Sequence, residues 1–261
     1  MKVRLSRAAS VDFRSPQMLS DGGRWLICGE SGSGKSSCVA NISQQVIEGD
    51  GQVILLDPHG EYPDLWSAKP SAVCRIGYGD ASVTPENIPE LLELVEAGTS
   101  LLIDLSHWLL KPQEMDAFVL EFVAAVFDLR RKRPRYTFLV VEEAQNFAPQ
   151  AQLAGQNVNV QLWTQLLSAG RKFGIQCCLA SQRISLIDLN VVSQCNARVF
   201  LRMSEIKDWK RARQYVPAEM NIRYDDIRHF KSGEALVLTR WFPECRVRLL
   251  QPQVQLRKAS L

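Results

Sequence analysis

The residues best suited to chemistry lie between Gly29 and Ser37. There, Gly29-Glu30-Ser31-Gly32-Ser33-Gly34-Lys35-Ser36 fits the spacing G-x-x-x-x-G-K-[ST]. Glycines at that spacing let backbone N–H groups curl around phosphate oxygens, and a helix opening at the lysine turns its positive end toward them. Lys35 would bridge the β- and γ-phosphates of ATP, and Ser36 would hold Mg²⁺. The nucleotide-contacting set is therefore Gly29, Glu30, Ser31, Gly32, Ser33, Gly34, Lys35, Ser36 and Ser37.

A second group follows the apolar run Tyr136–Val141, which ends in Glu142-Glu143. A strand that delivers two acids to one edge of a sheet suits a Walker B role. Glu142 would hold the metal, usually through water, and Glu143 would polarise the attacking water as general base. Adjacent carboxylates raise each other's pKa, which suits a base. The competing reading is an acidic first turn of a surface helix, favoured by the helix dipole. A third group follows the run Gln52–Leu56: Asp57-Pro58-His59-Gly60-Glu61-Tyr62. Gly60 permits a tight turn, Asp57 and Glu61 face the same edge, and Glu61 is a reserve base. His59 reads as a turn-stabilising residue.

The elements that must position these groups alternate between strand and helix. Strands are expected at 24–28, 52–56, 100–105, 136–141, 175–180, 198–201 and 234–239. Helices are expected at 35–48, 85–97, 113–129, 160–167 and 205–215. Cys38, Val39, Ile42 and Val46 share one face of the first helix, and Phe118, Phe122 and Val126 one row of the third. Residues 1–23 read as irregular. Alternation of this kind predicts an α/β fold with a mostly parallel central sheet flanked by helices, and ligands in such sheets bind beyond the carboxyl ends of the strands.

The glycine-rich loop, the segment DPHGEY, the run Glu142-Glu143-Ala144-Gln145-Asn146-Phe147-Ala148-Pro149, then Gly170-Arg171-Lys172-Phe173-Gly174 and Ser181-Gln182-Arg183, together resemble the HerA branch of the FtsK–HerA ATPases. The resemblance covers roughly residues 24–203, with a further piece beginning Ser232-Gly233-Glu234-Ala235-Leu236. It implies a RecA-like P-loop ATPase core, rings of six identical subunits, and ATP-driven movement along double-stranded DNA, often beside a nuclease partner. It also implies that Gln182 reads the γ-phosphate and that Arg171 serves the nucleotide of a neighbouring subunit, with Arg183 as second candidate. Glu142 stands where the family more often has Asp, and Gln145 where His is common.

The chain has 261 residues, 46% hydrophobic and 23% charged, with a net charge of +3. This is ordinary globular composition, long enough for one RecA-like domain over 1–261, with 1–23 as an N-terminal extension and about 232–261 as a C-terminal strand and tail. Only 23 residues precede the first expected core strand, so the β-barrel that the resemblance associates with longer relatives is not expected there. The seven cysteines are odd in number, sit largely in apolar runs and lack zinc spacing, so they read as buried thiols of a reducing, cytoplasmic compartment. There is no apolar core of a signal peptide near Met1 and no stretch long enough to span a bilayer.

Two basic runs, Arg130-Arg131-Lys132-Arg133-Pro134-Arg135 and Lys210-Arg211-Ala212-Arg213, are candidates for sequence-indifferent DNA phosphate contacts. The first is equally readable as a helix end favoured by its dipole. The polar stretch Phe147–Asn157 reads either as a pore loop or as an ordinary surface loop. No base-reading motif is present. The leading expectation is an ATP-dependent double-stranded DNA translocase. An ATP-gated assembly switch is the alternative, and a small-molecule kinase would need an acceptor pocket and lid that the sequence does not suggest.

Overall fold

The computed structural model describes residues 1–78, 83–150 and 157–256. The strands are β1 (Lys2–Arg4), β2 (Ser10–Asp12), β3 (Arg24–Cys28), β4 (Gln52–Asp57), β5 (Val73–Ile76), β6 (Ser100–Asp104), β7 (Thr137–Val141), β8 (Ile175–Ser181), β9 (Ala197–Phe200), β10 (Glu234–Thr239) and β11 (Cys245–Arg248). The helices are α1 (Pro16–Asp21), α2 (Lys35–Glu48), α3 (Ile88–Ala97), α4 (Pro112–Lys132), α5 (Asn157–Ala169), α6 (Leu189–Gln194), α7 (Ile206–Arg213) and α8 (Tyr224–Arg228).

Nine strands form one sheet in the order β11-β10-β9-β3-β8-β7-β4-β6-β5. From β9 to β5 every neighbouring pair is parallel, and β10 and β11 add an antiparallel margin. Every residue of β4, β7 and β8 is buried, as expected of parallel strands covered on both faces, and this is why they read as unbroken apolar runs. The pleat divides the side chains between two cores. Leu26, Leu139 and Leu179 pack under α3, α4 and α5, while Trp25, Ile27 and Val140 pack under α2.

Residues 1–23, expected to be irregular, instead contribute to the second core. β1 pairs antiparallel with β2, and Val3, Leu5, Phe13 and Met18 are fully buried, with Phe13 stacked on Trp25 at 5.6 Å between ring centroids. The expected elements recur with end shifts. The helix expected from 85 begins at Ile88 after a single 3-10 turn, and that expected at 113–129 extends to Lys132. The order of the parallel strands matters most for chemistry. It sets β3, β8, β7 and β4 side by side, so the residues following their carboxyl ends line up along one edge.

Candidate functional site

Gly32 and Gly34 take positive φ angles of 71° and 104°, a backbone conformation open to glycine. A Cβ added at Gly34 would lie 2.9 Å from the backbone nitrogen of Gly233, so the loop and the start of β10 fit only because that position is bare. Gly233 N–H also donates to the Ser33 carbonyl at 2.8 Å. No side chain caps the first turn of α2, which leaves the helix N-terminus free to receive an anion. Lys35 opens that helix and is 7% exposed.

The acids at the end of β7 meet this lysine. Lys35 Nζ lies 2.6 Å from Glu142 Oε2 and 3.4 Å from Glu143 Oε1. Burial works against the Lys35 charge, but Glu142 and then Glu143 outweigh it and hold the ammonium above its usual pKa. Glu142 takes a second hydrogen bond from the hydroxyl of the fully buried Tyr62. Glu143 has a left-handed backbone, φ 50°, a costly conformation for a residue with a Cβ. Its two carboxylate oxygens accept from Gln182 Nε2 at 2.9 Å and Gln145 Nε2 at 2.6 Å, and Ser181 Oγ donates to the Gln145 amide oxygen behind it.

These contacts correct one expectation. Burial pushes the Glu143 carboxyl up, but the Lys35 charge and the two amide donors more than offset this, so its pKa is lowered rather than raised. They also give Gln145 a place in the site: at the position where the resembled family commonly has His, it donates to Glu143 and orients it.

The loop after β4 is folded around Asp57. Its carboxylate accepts from the backbone N–H groups of His59 at 3.1 Å, Gly60 at 2.9 Å and Tyr62 at 3.1 Å, and from the Tyr78 hydroxyl. Gly60 supplies the turn with φ 67°. Burial pushes the Asp57 carboxyl up to about 7, against the Tyr78 hydrogen bond and with the help of the Glu142 charge. The turn delivers Glu61 to Ser36, whose hydroxyl donates to Glu61 Oε2 at 2.6 Å. Ser36 therefore lies on Glu61, whereas Glu142 lies on Lys35 and Tyr62. Among the described residues no group of three His, Cys, Asp or Glu side chains is placed to hold a metal ion alone. The donors present, the Ser36 hydroxyl and the carboxylates of Glu142 and Glu61, are hard oxygens of the kind Mg²⁺ takes together with phosphate oxygens and water.

Lys35, Ser36, Glu61, Glu143 and Gln182 line a cleft of about 1010 Å³, together with Glu30, Ser31 and Gly32. Its far wall is the C-terminal segment from Gln251 to Leu256, tied to α2 by the Gln253 N–H, which donates to Gln44 Oε1 at 2.9 Å. Glu30 pairs with Arg202. Sequence reading missed Tyr62 and Tyr78 as supports of the acids, and it missed this C-terminal wall. Tyr62 lies within the motif already singled out, and Ser232-Gly233 within the matched C-terminal piece; nothing in the sequence signals the other contacts.

Other expected residues lie elsewhere. Arg171 precedes β8, so it stands at the amino edge of the sheet, exposed, with its guanidinium donating to the Ser20 carbonyl. The chain does not bring it to its own phosphate loop. Arg183 lies near the cleft but is paired with Asp208 at 2.7 Å. In the basic run at the end of α4, Arg130 is 1% exposed and serves the core, and Arg131, Lys132 and Arg133 pair with Asp128 and Glu96. Arg211 braces Gln150 and the Ile187 carbonyl, and Arg213 donates to the Val216 carbonyl at 2.7 Å. Of the stretch 147–157 weighed as a pore loop, residues 151–156 lie outside the described residues. Among the described residues no disulfide joins the seven cysteines, five of which are buried, and no helix is long and apolar enough to cross a membrane.

The family model for the central domain of helicase HerA matches residues 22–126. The DNA double-strand break repair helicase HerA of Pyrococcus furiosus is 27% identical over 194 residues, which cover 62% of this chain and 34% of that relative. The chain thus spans about a third of the length of that relative. In structure it is similar to VirB4 of Thermoanaerobacter pseudethanolicus, with a TM-score of 0.70 at 14% identity over 97% of this chain and 96% of that one. It is also similar to the genome packaging NTPase B204 of Sulfolobus turreted icosahedral virus 2 in complex with ATP-gammaS, with a TM-score of 0.60 at 15% identity over 87% and 97% of the two chains. At these identities the structural likeness is one of fold.

Proposed function

We propose, on the match of residues 22–126 to the family model for the central domain of helicase HerA, that this chain is an ATP-hydrolysing motor that moves double-stranded DNA through a ring of identical subunits. The observation that carries the reading is the convergence of Lys35, Glu142, Glu143 and Gln182 at adjoining strand ends over an uncapped helix N-terminus. A nucleotide-binding module without turnover needs the lysine and the helix end; it has no use for a carboxylate held by two amides above them. The names of the relatives, a DNA repair helicase and a genome packaging NTPase, support DNA as the object moved.

The loop from Gly29 to Ser37 wraps the phosphates, and Lys35 moves from the acids to the β- and γ-phosphates when ATP arrives. Ser36 and Glu142 would hold Mg²⁺, which would supply neutralisation of phosphate charge, and Glu61 stays in reserve as a base. Released from Lys35, Glu143 orients the attacking water and takes its proton late, while Gln182 keeps the carboxylate aimed. A low pKa suits this role, because a loose phosphoryl-transfer transition state asks more for position and charge than for base strength. Arg171 serves the site of the next subunit, from the edge opposite its own loop. A ring of six, a cytoplasmic setting and a nuclease partner complete the reading as proposals of the same kind.

The test is ATPase activity with and without blunt duplex DNA across several salt concentrations. Stimulation that grows with duplex length supports translocation; turnover indifferent to DNA at every length and salt overturns it.

A further inference from the structure

The amino edge of the sheet, across the molecule from the phosphate loop, holds a second cavity of about 370 Å³. It lies between the start of β3, the end of α6, β9 and the end of β10, and three arginines line it: Arg24, Arg198 and Arg240. Two of them are poorly provided for. Arg24 gives one long hydrogen bond, to the Leu167 carbonyl at 3.3 Å, and Arg198 one to the Val192 carbonyl at 3.4 Å. The Nε of each is buried without a hydrogen-bond partner. Among the described residues neither has a carboxylate within ion-pair distance, while Arg240 is 3.8 Å from Asp21.

An arginine offers five N–H donors and does not lose its charge, so a half-buried guanidinium without an anion is a costly arrangement. Burial first, and then the charges of Arg171 and Arg240, hold Arg24 below its usual pKa; burial does the same to Arg198. The geometry is nonetheless fixed. The Arg198 guanidinium lies 4.0 Å from the centre of the Tyr215 ring, and Asn196 pins the start of β3 by accepting from Arg24 N–H at 3.0 Å and donating to the Gly22 carbonyl at 2.9 Å. Glu244 is the acid of the lining and is exposed at the rim.

We propose that this cavity binds phosphate groups, with Arg24, Arg198 and Arg240 as the ligating cations. Its volume falls within the range of small-ligand sites and exceeds what one phosphate needs, so a unit of two linked phosphates fits its size. Guanidinium forks match phosphate oxygens in pairs, which is the chemistry a strand backbone or a soluble polyphosphate would meet here. The site is distinct from the P-loop and does not depend on ATP turnover.

The test is calorimetric titration of the Lys35→Ala chain with inorganic pyrophosphate at constant ionic strength, with sodium chloride as control. The expected result is saturable binding that Arg198→Gln and, separately, the rim variant Arg240→Gln each weaken by at least about tenfold. Arg240→Gln alters an exposed side chain, so the result survives if Arg198→Gln fails to fold. Displacement of pyrophosphate by a short duplex, lost in Arg240→Gln, identifies a strand backbone as the source. Pyrophosphate binding without such displacement identifies a soluble phosphate. No saturable binding, or binding unchanged in both arginine variants, overturns the proposal.

Discussion

Glu143 is held from three sides: by Lys35 in front, and by Gln145 and Gln182 on its two oxygens. Replacing it with Gln keeps the size and removes the charge and the proton acceptor. Turnover should fall by ~10²- to 10⁴-fold while ATP still binds; equilibrium nucleotide binding beside steady-state turnover separates the two, and loss of both would show that Glu143 acts in binding. Asp57 makes a different prediction, about stability. Its folded pKa of about 7 stands above the usual 3.8, so the folded chain keeps a proton that the unfolded chain has released. That contribution is fully present below the unfolded value and is lost as pH rises through the folded one. Asp57→Asn should therefore flatten the pH dependence of the urea midpoint between about pH 4 and pH 7. An unchanged slope would mean that other groups set it. Of these residues, Lys35 and Glu143 are legible in the sequence because they lie in local motifs. The support of Glu142 by Tyr62 is not, since it joins residues 80 positions apart that only the sheet brings together.

The elements tell a similar story. β4, β7 and β8 are readable because burial on both faces makes them apolar throughout. β5 and β11 escape notice because they are four-residue margins of the sheet; in β11 the order Cys245-Arg246-Val247-Arg248 buries only the valine, too little for a periodic signal. The basic run at the end of α4 misleads for a related reason. Arg130 looks like its neighbours in sequence but turns inward, donating to Thr137 Oγ1 at 2.7 Å and to the Val95 carbonyl at 2.9 Å, with a further bond to Gln52. Gln52 Nε2 also donates to the Val95 carbonyl, and Thr137 Oγ1 also donates to Gln52, so the acceptors keep partners when the guanidinium is removed. Burial and the nearby Arg135 already hold Arg130 down to about 10. Arg130→Met should then cost little, within ~1.5 kcal/mol, whereas Arg130→Ala should cost ~2–5 kcal/mol through the space it leaves. Urea unfolding of both decides it; equal, large losses would show that the charge itself holds α4 to the sheet.

At the scale of the whole molecule, the two edges of the sheet carry complementary halves of one proposed site. The carboxyl edge holds the phosphate loop and the acids, and Arg171 stands exposed at the amino edge. A chain cannot fold one edge onto the other, so Arg171 can act on a γ-phosphate only if that phosphate is held by a second copy. Leu109, Leu110, Leu186 and Ile206 are exposed on segments that follow β6, β8 and β9, and Leu19 is exposed on α1 before β3. The place of Arg171 leads to a mixing experiment. Arg171→Ala should lower turnover by ~10³-fold or more while leaving ATP binding intact, and Lys35→Ala should abolish binding. Each variant alone should be inactive. Combined, they should regain part of the activity, because a Lys35→Ala subunit still carries the arginine that the intact phosphate loop of an Arg171→Ala neighbour lacks. Recovery that rises with the excess of the Lys35→Ala chain would place the arginine in trans. Absence of recovery in a mixture shown by size to contain mixed oligomers would remove Arg171 from the reaction and leave it as the residue that ties the segment before β8 to the Ser20 carbonyl.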